Sequence, residues 1–130
     1  MHTTRRAIKP LKGLRILSLA LNLPGPAALW RLRQMGATCV KLEPPNGDPM
    51  AHYCHLAYDI MHGGIRVITA DLKAPAGQKR LHELLAKTDI LLTSFRPSAL
   101  RKLGLSWPDL RTAYPDLSLV QIVGAAGPEA

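Results

Sequence analysis

Five short, mostly apolar runs alternate along this chain with segments whose apolar residues recur at helical spacing. Runs of this length and composition are typical of strands buried in a sheet, and strands that alternate with helices form parallel sheets. The pattern therefore predicts a single α/β unit, a parallel sheet with helices on both faces. The predicted strands are Leu14–Ala20, Cys39–Glu43, Arg66–Asp71, Asp89–Ser94 and Leu117–Val123.

Helix signals fill most of the intervals between these runs. Pro75 is typical of a first turn, and Gly36 and Gly104 stand where a glycine commonly follows a helix. Ser106 and Asp109 form a variant of the capping box, with Asp in place of the usual Glu. Residues 50–64 give no clear prediction. The predicted helices are Ala27–Met35, Pro75–Lys87, Ser98–Leu103, and one from Ser106 to about Tyr114.

Composition narrows the class of protein further. The 130 residues, 47% of them hydrophobic, suit one ordered domain, and no apolar run approaches the roughly 20 residues of a membrane span. The basic start leads into no long apolar region, so we expect no signal peptide and no membrane partner. Cys39 and Cys54 make no disulfide framework. Two free, buried thiols in a reducing cytoplasm are the expectation.

Ligands of open parallel sheets bind beyond the carboxyl ends of the strands. Cations accompany three of those ends here, at Lys41, Lys73 and Arg96. With an excess of 17 Lys and Arg over 9 Asp and Glu, this arrangement predicts a phosphate-bearing ligand. The alternative, that the glycines and prolines at these ends only make turns, stays open.

Several common sites are not indicated. Leu23–Pro26 (Leu-Pro-Gly-Pro) matches neither the dinucleotide fingerprint nor the P-loop, and no nucleophile elbow occurs. His52 and His55 lack a second ligand pair at conventional spacing, so we expect no metal. A nucleic-acid partner is also not expected, because the cations are scattered and the aromatic residues are only 2 Trp, 3 Tyr and 1 Phe.

Seven strings, in order and at consistent spacing, look familiar from residue 10 onward. They are Pro10–Leu17, Pro24–Pro26, Met35–Pro45 followed by Gly47-Asp48, Arg66–Lys73, Ala86–Pro97, Leu103–Leu105 and Tyr114–Leu117. Together they resemble the opening of the family III CoA-transferases, the CaiB/BaiF family, which includes formyl-CoA transferase, carnitine CoA-transferase and α-methylacyl-CoA racemase.

The resemblance implies a fold and an activity. It implies the N-terminal part of a Rossmann-like large domain, with residues 10–130 as a partial CoA-binding domain and residues 1–9 as a basic extension. Family members form interlocked dimers and move CoA from an acyl-CoA to a carboxylic acid. Coenzyme A or acyl-CoA would be the substrate, and the partner a second copy or a chain that supplies the rest of the fold.

The resemblance also implies site residues. Asn22, Leu23, Pro24 and Gly25 match the segment near the reacting thioester. Leu72 and Lys73 match positions along the CoA nucleotide. The segment that holds adenine and phosphates is matched by Ser94, Phe95, Arg96 and Arg101.

Departures from the family pattern shape the functional expectation. Ser18 stands where the family usually has Asp, and Leu23 replaces a polar residue. The nucleophilic aspartate of the family lies beyond the position of Ala130. We therefore expect an N-terminal portion, a truncated product or half of a split enzyme, inactive in CoA transfer by itself. The alternatives are a non-enzymatic assembly partner and, third, a nucleic-acid binder.

Overall fold

The chain forms one five-stranded parallel sheet. The computed structural model describes residues 8–124, so most of the basic extension and residues 125–128 of the predicted last loop lie outside the described part. The strand order is β3-β2-β1-β4-β5, and every neighbouring pair is parallel. The predicted parallel sheet is confirmed. Its strands are β1 Arg15–Ser18, β2 Thr38–Glu43, β3 Arg66–Thr69, β4 Ile90–Thr93 and β5 Ser118–Gln121.

Six helices connect these strands within the described residues. The cap predicted at Ser106 is confirmed, since its hydroxyl accepts a hydrogen bond from the Asp109 N–H at 3.3 Å. The helices are α1 Pro24–Gln34, α2 Met50–Tyr53, α3 His55–His62, α4 Pro75–Leu85, α5 Pro97–Lys102 and α6 Trp107–Ala113.

The predicted start of the first helix needs correction, and a segment without a clear prediction is helical. The first helix begins at Pro24 rather than Ala27, because a proline in the first turn needs no hydrogen-bond donor there and its φ is already helical. Residues 50–64, which gave no clear prediction, contain α2 and α3. These helices are short, and neither has a side-chain cap, so the sequence offers no start signal.

Each face of the sheet has its own apolar core. On one face, side chains of α4, α5 and α6 such as Leu81, Leu100 and Leu110 pack on Leu17 and Leu42. On the other face, the core is formed with α1 and comprises Ile16, Ala20, Leu29, Ala37, Cys39, Ile65 and Leu92. The prediction that helices cover both faces is confirmed.

The edge strands differ from the central ones. Val67 of β3 is 38% exposed and Val120 of β5 is 45% exposed, whereas Leu17 and Leu91 of the central strands are buried.

The two cysteine thiols differ in exposure, since Cys39 is buried and Cys54 is exposed. The expectation of two buried thiols is therefore wrong for Cys54, which follows the short helix α2 at the surface.

The chain reverses its direction of travel across the sheet at the centre. It leaves β1 toward β2 and β3 on one side, then crosses to β4 and β5 on the other. Such a switch point opens a crevice between the two loops that leave the central strands. In this chain those are the loops after β1 and β4, and both contain residues predicted to bind a ligand.

Candidate functional site

The loop after β1 is fixed on both sides of the crevice. The Leu21 N–H donates to Ser94 Oγ at 3.1 Å, which ties the loop to the end of β4. The next N–H, of Asn22, donates to Asp48 Oδ1 at 2.9 Å, which ties it to the loop after β2. Three strand ends are therefore joined through two consecutive backbone amides. Asn22 and Leu23 are exposed beside them.

Gly25 lets helix α1 start directly against the end of β1. A Cβ at this position would lie 2.5 Å from Ala20 Cβ and 2.9 Å from the Ala20 carbonyl carbon, closer than real contacts. Pro24 and Pro26 flank it and carry no N–H, so this first turn offers few donors to an anion.

The loop after β3 presents Lys73 at the same edge of the sheet. The Lys73 N–H donates to Asp71 Oδ1 at 3.0 Å, which shapes the turn and leaves the lysine side chain exposed. Gln78 of α4 donates through Nε2 to the Leu72 carbonyl at 2.6 Å and to the Leu103 carbonyl at 3.2 Å. The turn is thereby joined to both α4 and the end of α5.

A small cavity brings three of the predicted residues together. Its volume is about 140 Å³, and Leu72, Lys73 and Phe95 line it along with Leu42, Pro44 and Leu103. An apolar wall beside an exposed ammonium group suits a ligand that carries both a flat apolar ring and an anion. The loops after β2, β3 and β4 all contribute to it.

The remaining predicted residues lie in other places. The Ser94 hydroxyl accepts a hydrogen bond from the Leu21 N–H, and so it helps to position the loop after β1. Arg96 precedes α5 and is exposed. Arg101 lines a separate cavity of about 380 Å³ with Trp107 and Gln121. The predicted set is therefore spread along the carboxyl edge rather than gathered in one cavity.

One predicted ligand-facing cation is wrong. Lys41 lies on β2 with its side chain fully buried, and its ammonium group faces protein acceptors. Its Nζ is 2.5 Å from Asp48 Oδ2, 2.8 Å from His62 Nε2 and 3.0 Å from Glu43 Oε2. Three acceptors use the three donors of an ammonium group. Lys41 therefore has no N–H left for a phosphate.

Tyr58 and His62 of α3 complete this group of five residues, Lys41, Glu43, Asp48, Tyr58 and His62, which we call the Lys41 cluster. The Tyr58 hydroxyl donates to Glu43 Oε2 at 2.7 Å. Burial is the main cause that raises the pKa of Tyr58, and the hydrogen bond to Glu43 raises it further. His62 Nδ1 lies 2.6 Å from the Tyr58 carbonyl. Nδ1 therefore carries the proton, and Nε2 accepts from Lys41.

Burial and hydrogen bonds set the charges in the Lys41 cluster. Burial lowers the pKa of His62 and outweighs the hydrogen bond to the Tyr58 carbonyl, so the ring is neutral. Burial alone would raise the pKa of Asp48. Hydrogen bonds from Lys41 and from the N–H groups of Asn22 and Met50 hold it below its usual value instead. Asp48 is thus a carboxylate although it is fully enclosed.

The same residues have the chemistry of a metal site. Ligand atoms of Glu43, Asp48 and His62 all lie within 4.8 Å of one another. The Lys41 ammonium already contacts all three, and it supplies the positive charge that a cation would bring. His52 and His55 are outside this set, and His55 Nε2 instead lies 3.4 Å from Asp59 Oδ2 at the surface.

A second basic cavity lies at the opposite, amino edge of the sheet. Its volume is about 520 Å³, and Arg15, Arg66, Arg80 and Lys87 are among the residues that line it. Arg15 pairs with Asp89 at 3.1 Å, and Arg80 lies 3.7 Å from Glu83. Part of the positive charge at this edge is therefore neutralised within the chain.

None of the helices in residues 8–124 has both the length and the apolar character that a membrane span requires.

Known proteins are similar to this chain in sequence and in fold. A cinnamoyl-CoA:phenyllactate CoA-transferase from Clostridium sporogenes is 36% identical over an alignment of 123 positions, which covers 86% of this chain and 30% of that protein. A succinyl-CoA–D-citramalate CoA-transferase from Chloroflexus aurantiacus is 32% identical over an alignment of 130 positions, which covers 94% of this chain and 32% of that protein. The chain thus spans about a third of the length of these relatives.

A solved structure of similar sequence has the same fold as this chain. The crystal structure of a CaiB/BaiF family protein from Brucella suis superposes with a TM-score of 0.82 at 31% identity, over 93% of this chain and 35% of that one. The sequence model of the CoA-transferase family III matches residues 11–130. The family match covers nearly the whole chain, and the superposition covers the parallel sheet as well. The chain belongs to the CoA-transferase family III.

Proposed function

We propose that the carboxyl edge of this sheet binds coenzyme A, as part of a protein that transfers CoA between an acyl-CoA and a carboxylic acid. The observation that carries the proposal is the family match over residues 11–130, together with the exposed cations Lys73 and Arg96 after β3 and β4. In the proposed arrangement the nucleotide end of CoA lies near Lys73 and Phe95. The thioester end lies at the loop Asn22–Gly25.

Charge supports the placement of the nucleotide end. Lys73, Arg96 and Arg101 are exposed, and none of them belongs to the ion pairs found within the described residues. Coenzyme A carries a 3′-phosphate and a diphosphate, which Arg and Lys side chains bind through charge-assisted hydrogen bonds. Phe95 and Leu72 offer an apolar surface on which adenine can pack.

The centre of the sheet supports the placement of the thioester end. The Asn22–Gly25 segment leaves β1 at the switch point, and two hydrogen bonds fix it against the loops after β2 and β4. A rigid loop can hold a reacting group in one position. The described part of the chain would thus bind and orient CoA. Asp48 cannot meet an acyl group there, because it is fully enclosed by its partners.

Lys73→Ala is expected to weaken CoA binding about tenfold, because a hydrogen bond to a charged group contributes roughly 1.5–3 kcal/mol. Calorimetric titration of the chain with CoA at moderate salt measures the effect. Lys79→Ala is the matched control. Lys79 is an exposed lysine on α4, so its loss changes the net charge equally without touching the proposed site.

CoA affinity of the Lys79→Ala variant should stay within about twofold of the parent chain, as expected for one distant charge at moderate salt. If both variants weaken CoA binding equally, the attraction is only that of a chain with a formal charge of +8, and the Lys73 assignment is wrong. If the parent chain shows no saturable binding of CoA, the proposed function itself fails.

A further inference from the structure

We propose that Asp48, with its charge balanced by Lys41, is a positioning residue for the thioester end of coenzyme A. It does so by holding the loop Asn22–Gly25 in one conformation. This proposal rests on the proposed function, because it concerns the same edge of the sheet. Gly47-Asp48 is among the strings that carry the family resemblance, but the resemblance assigns Asp48 no role. Asp48 contacts the loop through Oδ1, which accepts from the Asn22 N–H.

The two oxygens of Asp48 face different partners. Oδ2 faces the Lys41 ammonium group inside the sheet. Oδ1 accepts from the Asn22 N–H at 2.9 Å and from the Met50 N–H at 3.0 Å. One carboxylate therefore connects a buried charge to the backbone of the β1 loop. An amide side chain cannot replace it, since one of its two ends is a donor and would face another donor.

The conformation of Asn22 makes such a connection necessary. Its φ is +68°, and no other non-glycine residue in the described range 8–124 has a positive φ. The left-handed region costs a non-glycine residue about 1 kcal/mol or more, although Asn tolerates it better than most. Contacts must therefore hold the loop, and besides Asp48 the Tyr53 hydroxyl donates to Asn22 Oδ1 at 3.2 Å.

These contacts do little for the apolar core. Asn22 and Leu23 are exposed, and Leu23 keeps 48% of its surface in contact with solvent. A buried ion pair is also a weak source of stability compared with apolar residues of similar size. The Lys41–Asp48 pair instead fixes the position of the exposed loop Asn22–Gly25 at the switch point.

The test compares two ligands on two carboxylate variants. Coenzyme A reaches both ends of the proposed site, whereas adenosine 3′,5′-bisphosphate has only the nucleotide end. Asp48→Asn should weaken CoA binding about tenfold, the size of effect expected when a hydrogen bond to a charged group is lost. Its affinity for the bisphosphate should change less than about twofold, since none of the hydrogen-bond partners of Asp48 lines the cavity at Lys73 and Phe95.

Asp89→Asn is the matched control. Asp89 also accepts a backbone N–H, from Arg15 at 2.8 Å, and pairs with that residue's guanidinium, but at the amino edge of the sheet. Its replacement should leave both affinities unchanged. A merely structural role of Asp48 would weaken both ligands together, and that outcome, or unchanged CoA affinity, overturns the proposal. Failure of the parent chain to bind CoA overturns the proposed function and this inference with it.

Tyr53→Phe decides the question if Asp48→Asn does not fold. Tyr53 is 59% exposed, so removing its hydroxyl leaves the core intact while releasing Asn22 Oδ1. CoA affinity should fall about threefold, as for the loss of one neutral hydrogen bond, with the bisphosphate unaffected. Equal affinity of this variant and the parent chain for CoA would then overturn the proposal.

Discussion

Lys41→Met is expected to lower the free energy of unfolding by about 3–5 kcal/mol, the usual cost of removing one partner of a buried ion pair. Methionine has similar length and no charge, so the substitution leaves Glu43 and Asp48 as neighbouring buried carboxylates without a cation. Urea unfolding at neutral pH measures the loss through the transition midpoint and its slope.

The deficit of the Lys41→Met variant should shrink as the pH falls. In the parent chain the pKa of Asp48 is lowered, so its contribution is present at neutral pH and is lost on acidification. Without Lys41, burial raises the pKa of Asp48, and protonation of this carboxylate at low pH relieves its repulsion with Glu43. The two unfolding curves should therefore approach one another under acidic conditions.

Lys79→Met is the control for Lys41→Met. It removes an exposed lysine of α4 and should change stability by no more than about 0.5 kcal/mol. A loss below about 1 kcal/mol for Lys41→Met would mean that the cluster contributes no more than a surface ion pair. Lys41 would then not be the structural cation described above.

Gly77→Ala is expected to destabilise the chain by about 3 kcal/mol, at the upper end of ordinary overpacking effects. An added Cβ would lie 1.7 Å from the Asp71 carbonyl oxygen and 2.5 Å from its carbonyl carbon. Both are backbone atoms, so α4 must move away from the turn that carries Leu72 and Lys73. Urea unfolding measures the loss, and CoA affinity should fall with it.

The sign of the Gly77→Ala effect is informative. Helix propensity alone predicts that alanine in α4 stabilises the chain by about 1 kcal/mol relative to glycine. Gly124→Ala is the control, because no atom of the described residues 8–124 lies within 4 Å of the added Cβ there. An increase in the stability of the Gly77→Ala variant would contradict the close contact between α4 and Asp71.

Local signals explain why the fold could be predicted from the sequence. The alternation of apolar runs and helical spacing predicts the parallel sheet, and Ser106 with Asp109 predicts the start of α6, which the structure confirms. The sequence pattern predicts too late a start for α1, because Pro24 and Pro26 are breakers in most positions but acceptable in a first turn.

The candidate site depends on distant residues, and so less of it could be predicted. Lys41 is 7 residues from Asp48 and 21 residues from His62 in the sequence. No local sequence pattern predicts that these side chains are in contact. An isolated lysine at the end of a strand indicates a ligand-facing cation. Only the packing of α3 on the sheet shows that its charge is balanced internally. The roles of Lys73 and Arg101 stay predictions.

The central claim is that coenzyme A binds at the carboxyl edge of the sheet. Titration of the ¹⁵N-labelled chain with CoA, followed by two-dimensional NMR, tests it most directly because each backbone amide reports its own position. We predict saturable shifts of the amides of Asn22, Lys73 and Phe95, with those of Arg66 and Lys87 unchanged. Shifts concentrated at the amino-edge cavity, or no saturable shifts, would contradict the claim.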